Sequence, residues 1–295
     1  MSLRRLVPAP VLAFLLAPGA GGAQEAELAG VIDLHVHVAP DSRGPRSVNG
    51  FEAAQMARRH GVRAILIKNH FTETASQAYL VSEIVPGIDV YGGIVLNRAV
   101  GGINPVAVES MASTTGRLGR MVWLPTFDSE HNSPDSDNVA ITRNGALLPE
   151  VVEVFDVMRE YDLALATGHV SPEEALLAIR GARAAGIERI VVTHPASGLV
   201  DMSVEMQRAA ADLGALLEYT VSAALSPGSF EAFTRQIRDV GLEDVVLTTD
   251  YGQVGNPVPA DGMRAILPRL RAAGFSQAEI DTMIRQNPAR LLGLN

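Results

Sequence analysis

Eight short apolar runs, separated by stretches with the marks of helices, constrain this chain more than any other feature. They begin near residues 31, 64, 90, 121, 163, 190, 215 and 245. Each is short and nearly continuous in Val, Ile, Leu and Ala, as a strand is when both of its faces are covered. The segments between them carry start and stop signals. Asn49 is placed to cap a helix over residues 51–60, with Gly61 as its stop. Thr72-Glu73 opens a second helix, and Asn104-Pro105 a third, with proline where the first turn tolerates it. Further helices are expected over residues 149–161, 172–185, 202–213, 229–240, 261–273 and 277–292. Eight strand–helix repeats over about 250 residues predict a (β/α)8 TIM barrel. The competing open, doubly wound sheet calls for a Gly-rich dinucleotide turn after the first strand, and the sequence has none there. After the fourth strand, Val139-Ala-Ile-Thr142 and Ala146-Leu-Leu148 flank Asn144-Gly145. That pattern predicts a small β-hairpin excursion, a candidate lid or substrate wall.

The first run, Val31-Ile-Asp-Leu-His-Val-His-Val38, holds three polar side chains. Strict alternation puts Asp33, His35 and His37 on one face and Ile32, Leu34, Val36 and Val38 on the other. Other runs end in potential metal ligands: Lys68 after Ala64-Ile-Leu-Ile67, His169 after Thr167-Gly168, His194 after Thr193, and Asp250 after Thr248-Thr249. A bare His-x-His is as readily a pair of satisfied core histidines. In a barrel, however, all C-terminal strand ends meet at one mouth, where active sites sit, so His35, His37, Lys68, His169, His194 and Asp250 converge there. The sequence has no cysteine, which leaves histidine, carboxylate and modified lysine as ligands for a metal. His70 reads as a support beside Lys68, and Trp123 as core. Glu218 and Tyr219 suit either substrate contact or packing. Arg43 and Arg46 read as solvated, with contact to an anionic substrate as the alternative.

Taken together, Asp33-x-His35-x-His37, the separate His169 and His194, the late Asp250 and the ending Asn287-Pro-Ala-Arg-Leu-Leu292 resemble the amidohydrolase superfamily of metal-dependent hydrolases. The resemblance implies a divalent centre of one or two ions, zinc first, held by His35, His37, His169, His194 and Asp250. It also implies that Asp250 is the catalytic acid–base. In binuclear members a carboxylated lysine or a glutamate, usually on the fourth strand, bridges the metals, and Met121-Val-Trp-Leu-Pro-Thr126 offers neither. Lys68, as its carbamate, is the substitute; an unmodified Lys68 binding a substrate carboxylate or pairing with Asp33 is the alternative. The implied activity is cleavage of an amide, lactam, lactone or ester bond in a small molecule. Non-hydrolytic decarboxylation on the same barrel, and an exported metal- or solute-binding protein without turnover, are the competing readings.

A net charge of -9 argues against a nucleic-acid partner and says nothing about a small substrate. Arg4-Arg5, the apolar run from Leu6 to Ala17 and the small residues ending at Ala23 read as a signal peptide over residues 1–23, ahead of a single hydrolase domain over residues 24–295. The apolar run is shorter than the ~20 residues that span a bilayer, so the mature chain is expected in the periplasm or secreted, without stable membrane insertion. The sequence leaves homo-oligomerisation open.

Overall fold

The computed structural model describes residues 28–294; the predicted signal peptide lies outside them. The strands are β1 (Ile32–His37), β2 (Ala64–Lys68), β3 (Asp89–Val95), β4 (Gly119–Trp123), β5 (Thr142–Arg143), β6 (Ala146–Leu147), β7 (Ala164–Ala166), β8 (Ile190–Val192), β9 (Leu216–Thr220) and β10 (Val245–Thr248). All but β5 and β6 form one eight-stranded sheet in the order β1-β2-β3-β4-β7-β8-β9-β10, with parallel pairing throughout. The sheet closes just beyond β10, where the His37 N–H donates to Tyr251 O at 2.9 Å and the Asp250 N–H to His35 O at 2.9 Å. This is the predicted (β/α)8 barrel.

Helices return the chain between strands: α1 (Gly50–Arg59), α2 (Ala75–Ile84), α3 (Pro105–Ser113), α4 (Pro149–Glu160), α5 (Pro172–Ala184), α6 (Val204–Asp212), the short α7 (Val221–Ala224) and α8 (Phe230–Val240). Then come α9 (Pro259–Ala272), α10 (Gln277–Asp281) and α11 (Asn287–Leu292), the last two joined by a π-helical turn at Thr282–Gln286. The predicted caps are in place. Asn49 accepts from the Glu52 N–H and Glu52 from the Asn49 N–H, and Asn104 accepts from the Ala107 N–H. Helix α11 plugs the barrel floor. Asn287 Nδ2 donates to Glu243 O and Val245 O, at 2.9 and 2.7 Å, and Leu291 and Leu292 join the inner apolar cluster.

One expectation about β1 is corrected. Asp33 pairs with Ile65 but Val36 with Ile67, so β1 carries one extra residue between those points. The bulge switches faces. Ile32 and Leu34 point into the barrel with Ala64 and Leu66, whereas Val31, Val36 and Val38 pack in the outer layer. Asp33 therefore does not share a face with the two histidines. Instead its carboxyl group fastens the seam, accepting from Thr248 Oγ1, from the Thr249 N–H at 3.0 Å and from Thr249 Oγ1 at 2.5 Å. Burial raises its pKa against those bonds. It is a closure residue and no partner for Lys68.

The hairpin is present, with Asn144 and Gly145 both at positive φ as its two-residue turn requires. It lies along the flank: Thr142 Oγ1 donates to Glu174 at 3.0 Å, and Leu147 sits beside Gly181 of α5. The wall role belongs to Phe127, in the loop that precedes it.

Candidate metal centre

A cavity of about 340 Å³ opens at the C-terminal ends of the strands, lined among others by His35, His37, Lys68, His169, His194 and Asp250. All six side chains picked out from the sequence meet there. His35 and His37 come from β1 beyond its bulge, Lys68 from the end of β2, and His169, His194 and Asp250 from the turns after β7, β8 and β10. The turns are tightly built. A Cβ on Gly168, at φ +65°, would fall 2.2 Å from Leu124 O, and one on Gly252, at φ +128°, 1.7 Å from His37 O. Only glycine fits either place. His194 and Asp250 themselves hold φ of +24° and +52°, a left-handed region that only a few per cent of non-glycine residues enter. Such backbone strain at two convergent polar residues is the pattern of a functional site.

The core of the group is His35, His37 and Asp250, whose potential ligand atoms all lie within 4.8 Å of one another. His35 Nε2 and His37 Nε2 stand 3.3 and 3.2 Å from Asp250 Oδ1. The His169 and His194 rings complete the cluster, 4.9 Å apart, with His194 stacked 6.0 Å from His35. Burial pushes the His37 and His194 pKa values down to about 4, and those of His70 and His169 well below the ordinary value. The imidazoles are thus neutral lone-pair donors at neutral pH. Burial also opposes ionisation of Asp250, but the neighbouring His35, His37 and His194 hold its carboxyl far below the usual range.

These residues fit a divalent cation. Buried nitrogens without a hydrogen-bond partner are costly in a folded protein, and among the described residues five of the nine meet here: His35 Nε2, His37 Nδ1, both ring nitrogens of His169, and Lys68 Nζ. Lys68 is 1% exposed, with its ammonium 5.3 Å from the centre of the Trp123 ring. Burial pushes its pKa down to about 8 in spite of the nearby carboxylates of Glu218 and Asp250.

Two residues gain roles that sequence reasoning left open. Glu218, on β9, accepts from His35 Nδ1 at 3.0 Å and from the His194 N–H at 3.1 Å. Because an ionised carboxylate only accepts, the His35 proton sits on Nδ1 and the Nε2 lone pair faces the cavity. Burial resists this charge, yet His35, His194 and Lys68 keep the Glu218 pKa below its ordinary value. Tyr219 points outward to Gln207 Oε1, at 2.7 Å, and is packing. His70 lines the cavity, stacked 5.1 Å from His37.

The loop after β1 is also reassigned. Arg43 and Arg46 both line the cavity, Arg43 from an exposed position at its mouth and Arg46 half-buried. Asp41 arranges both, accepting from the Arg43 N–H at 2.8 Å and from Arg46 Nη2 at 2.7 Å. The Arg43 guanidinium lies 3.8 Å over the Phe127 ring.

The chain matches over residues 30–218 the model of a family described as Family of unknown function (DUF6282). No curated protein matches it. Among solved structures it is similar to the phosphotriesterase homology protein of Escherichia coli, complexed with phosphate in the active site, at 19% identity, over 90% of this chain and 99% of that one, with a TM-score of 0.59. It is similar to the organophosphorus hydrolase of Deinococcus radiodurans at 17% identity, over 91% and 94%, with a TM-score of 0.58. For an amidohydrolase of Pseudomonas aeruginosa the figures are 14% identity, 92% and 98%, and a TM-score of 0.65. Identities this low establish the shared barrel alone. The family match covers more than half of the chain, from Gly30, two residues before β1, through Glu218, and so takes in five of the six predicted site residues: the chain belongs to the DUF6282 family.

Proposed function

We propose that this protein is a metal-dependent hydrolase that cleaves an amide, lactam, lactone or ester bond of a small molecule. The observation that carries the reading is the convergence of His35, His37 and Asp250 ligand atoms within 4.8 Å on a cavity also lined by His169 and His194. His35, His37, His169 and His194 would hold the cation, zinc first, with Asp250 beside it. When bound, a divalent ion polarises the scissile group and lowers the pKa of a water toward ~7. The chain does the rest. Ser222 Oγ donates to Asp250 Oδ2 at 3.1 Å, which leaves Oδ1 toward the histidines to take a proton from the attacking water and return it to the leaving group. Lys68, with an unpartnered amine of lowered pKa, is suited to react with carbon dioxide and supply an anionic carbamate oxygen where a second ion is held.

Arg43 and Arg46 on the wall of the cavity favour a substrate that carries a carboxylate or phosphate. They also keep decarboxylation as the second reading. The test is a panel of ester, lactone, amide and phosphoester substrates against zinc-loaded protein and Asp250→Asn, with carbon dioxide release followed in parallel. The hydrolase reading expects the variant to keep much of its metal and lose turnover; equal rates in both, or carbon dioxide as the product, overturn it. We place the mature chain, from near Gln24, in the periplasm or outside the cell. N-terminal sequencing that finds Met1 intact in the native host contradicts this.

A further inference from the structure

The cavity holds a histidine that the metal centre does not use, and its hydrogen bonds define what it does. The chain of contacts begins at Asn97, buried between the ends of β3 and β4. Asn97 Oδ1 accepts from the Thr126 N–H at 2.8 Å and from the Asp128 N–H at 3.4 Å, and two backbone donors fix which end of the amide is oxygen. Its Nδ2 therefore donates, to His70 O at 3.1 Å and to Thr126 Oγ1 at 2.8 Å. The Thr126 hydroxyl, fully buried, must then place its own proton elsewhere. Among the described residues its one remaining neighbour of the right kind is His70 Nδ1, at 2.8 Å. The opposite arrangement, with His70 Nδ1 donating, leaves a buried hydroxyl proton without an acceptor.

We propose that His70 is a substrate-binding catalytic residue whose Nε2–H donates a hydrogen bond into the cavity, and that it is not a metal ligand. A lone pair on Nδ1 engaged by Thr126 and a proton on Nε2 leave the ring no nitrogen for a cation. The ring stacks on His37 at 5.1 Å, meets Phe127 in a tilted contact at 4.5 Å, and lines the cavity. A fixed N–H beside a metal-type cluster suits an oxygen that gains negative charge, such as the carbonyl oxygen of an ester or amide under attack or a phosphoryl oxygen. The identity of that oxygen rests on the hydrolytic reading; the tautomer and the exclusion from the metal do not.

Two measurements separate these points. Long-range ¹H–¹⁵N spectra of the metal-free wild-type protein should show His70 with Nε2 protonated and Nδ1 bare. Thr126→Val, which removes the donor, should shift the ring toward the other tautomer. A wild-type His70 protonated on Nδ1 overturns the proposal whatever the activity. Zinc-loaded His70→Ala should hold as much metal as wild type while kcat falls roughly 10²–10³-fold with KM little changed, the loss typical of one such donor. His70→Gln, which restores an N–H, should recover part of it. Loss of bound zinc in both variants makes His70 a ligand and overturns the proposal. If the tautomer and metal content are as stated but no hydrolysis is found in any form, the hydrolytic reading fails and the donor assignment stands.

Discussion

Replacing Glu218 by glutamine changes one oxygen for an amide nitrogen at the point where two donors converge. Glu218 Oε1 accepts from His35 Nδ1 and Oε2 from the His194 N–H, at 3.0 and 3.1 Å, and the residue is buried. Glutamine can accept from only one of them. If its oxygen turns to His35, its amino group confronts the His194 N–H, and a buried donor is left unpaired at a cost of roughly 1–3 kcal/mol. If its oxygen turns to His194, its amino group forces His35 to accept on Nδ1. The proton then moves to His35 Nε2, the atom that faces Asp250 Oδ1 at 3.3 Å and is needed as a lone pair for the metal. Both outcomes weaken the centre. The expected loss in zinc affinity is about 10–100-fold, the usual effect of removing an outer partner of a ligating histidine, or roughly 1.4–2.7 kcal/mol. Calorimetric titration of metal-free wild type and Glu218→Gln with zinc reads this directly, with circular dichroism to verify the fold. Unchanged affinity in a folded variant refutes the support role given to Glu218 and the tautomer assigned to His35.

The buried Lys68 gives an inverse prediction about stability. Its pKa falls from 10.5 to about 8 on folding, so at pH 7 the folded metal-free protein carries a penalty on the order of 3 kcal/mol that Lys68→Met removes. The variant should melt higher than wild type at pH 7, and the gap should close as pH rises from about 8 toward 10.5; a lower melting temperature contradicts it. The imidazoles set an acid limit. His37 and His194 fall from 6.5 to about 4 on folding, so between those values the unfolded chain binds more protons and stability declines as pH falls. Denaturant titrations of metal-free protein should show a loss of several kcal/mol across that window, and a flat profile contradicts it. A Cβ 1.7 Å from His37 O makes Gly252→Ala a break in the seam, expected to cost about 3 kcal/mol or more in chemical denaturation.

Element type and order were legible because the physics is local. Continuous apolar runs and caps such as Asn49 and Asn104 identify strands and helices, and the strands begin within two residues of where the runs predict. The convergence of His35, His37, Lys68, His169, His194 and Asp250 on one cavity was legible too, since strand ends in a barrel share one mouth. What escaped depends on register and long-range contact. The bulge in β1 is invisible to alternation, because an inserted residue changes every facing after it without changing composition. Alternation alone therefore groups Asp33 with His35. The place of Arg43 and Arg46 follows from a loop pinned by Ser47 to Gly252 and by Asn69 to Pro40, the first of these contacts spanning 205 residues. Glu218 is ambiguous in the sequence because its partners are distant in the chain: His35 on β1 comes near only through barrel closure by way of β10, and His194 sits in the turn after the neighbouring β8.

A divalent ion held at His35, His37, His169 and His194 would make this cavity a hydrolytic site. The most direct test is a zinc titration of metal-free protein in which bound metal and turnover of a responsive ester or lactone are read on the same sample. Turnover should be negligible without metal and rise in proportion to occupancy, saturating at one or two ions per chain, with both signals lost in His169→Ala. Turnover that persists after chelation, or zinc bound equally well by His169→Ala, contradicts it.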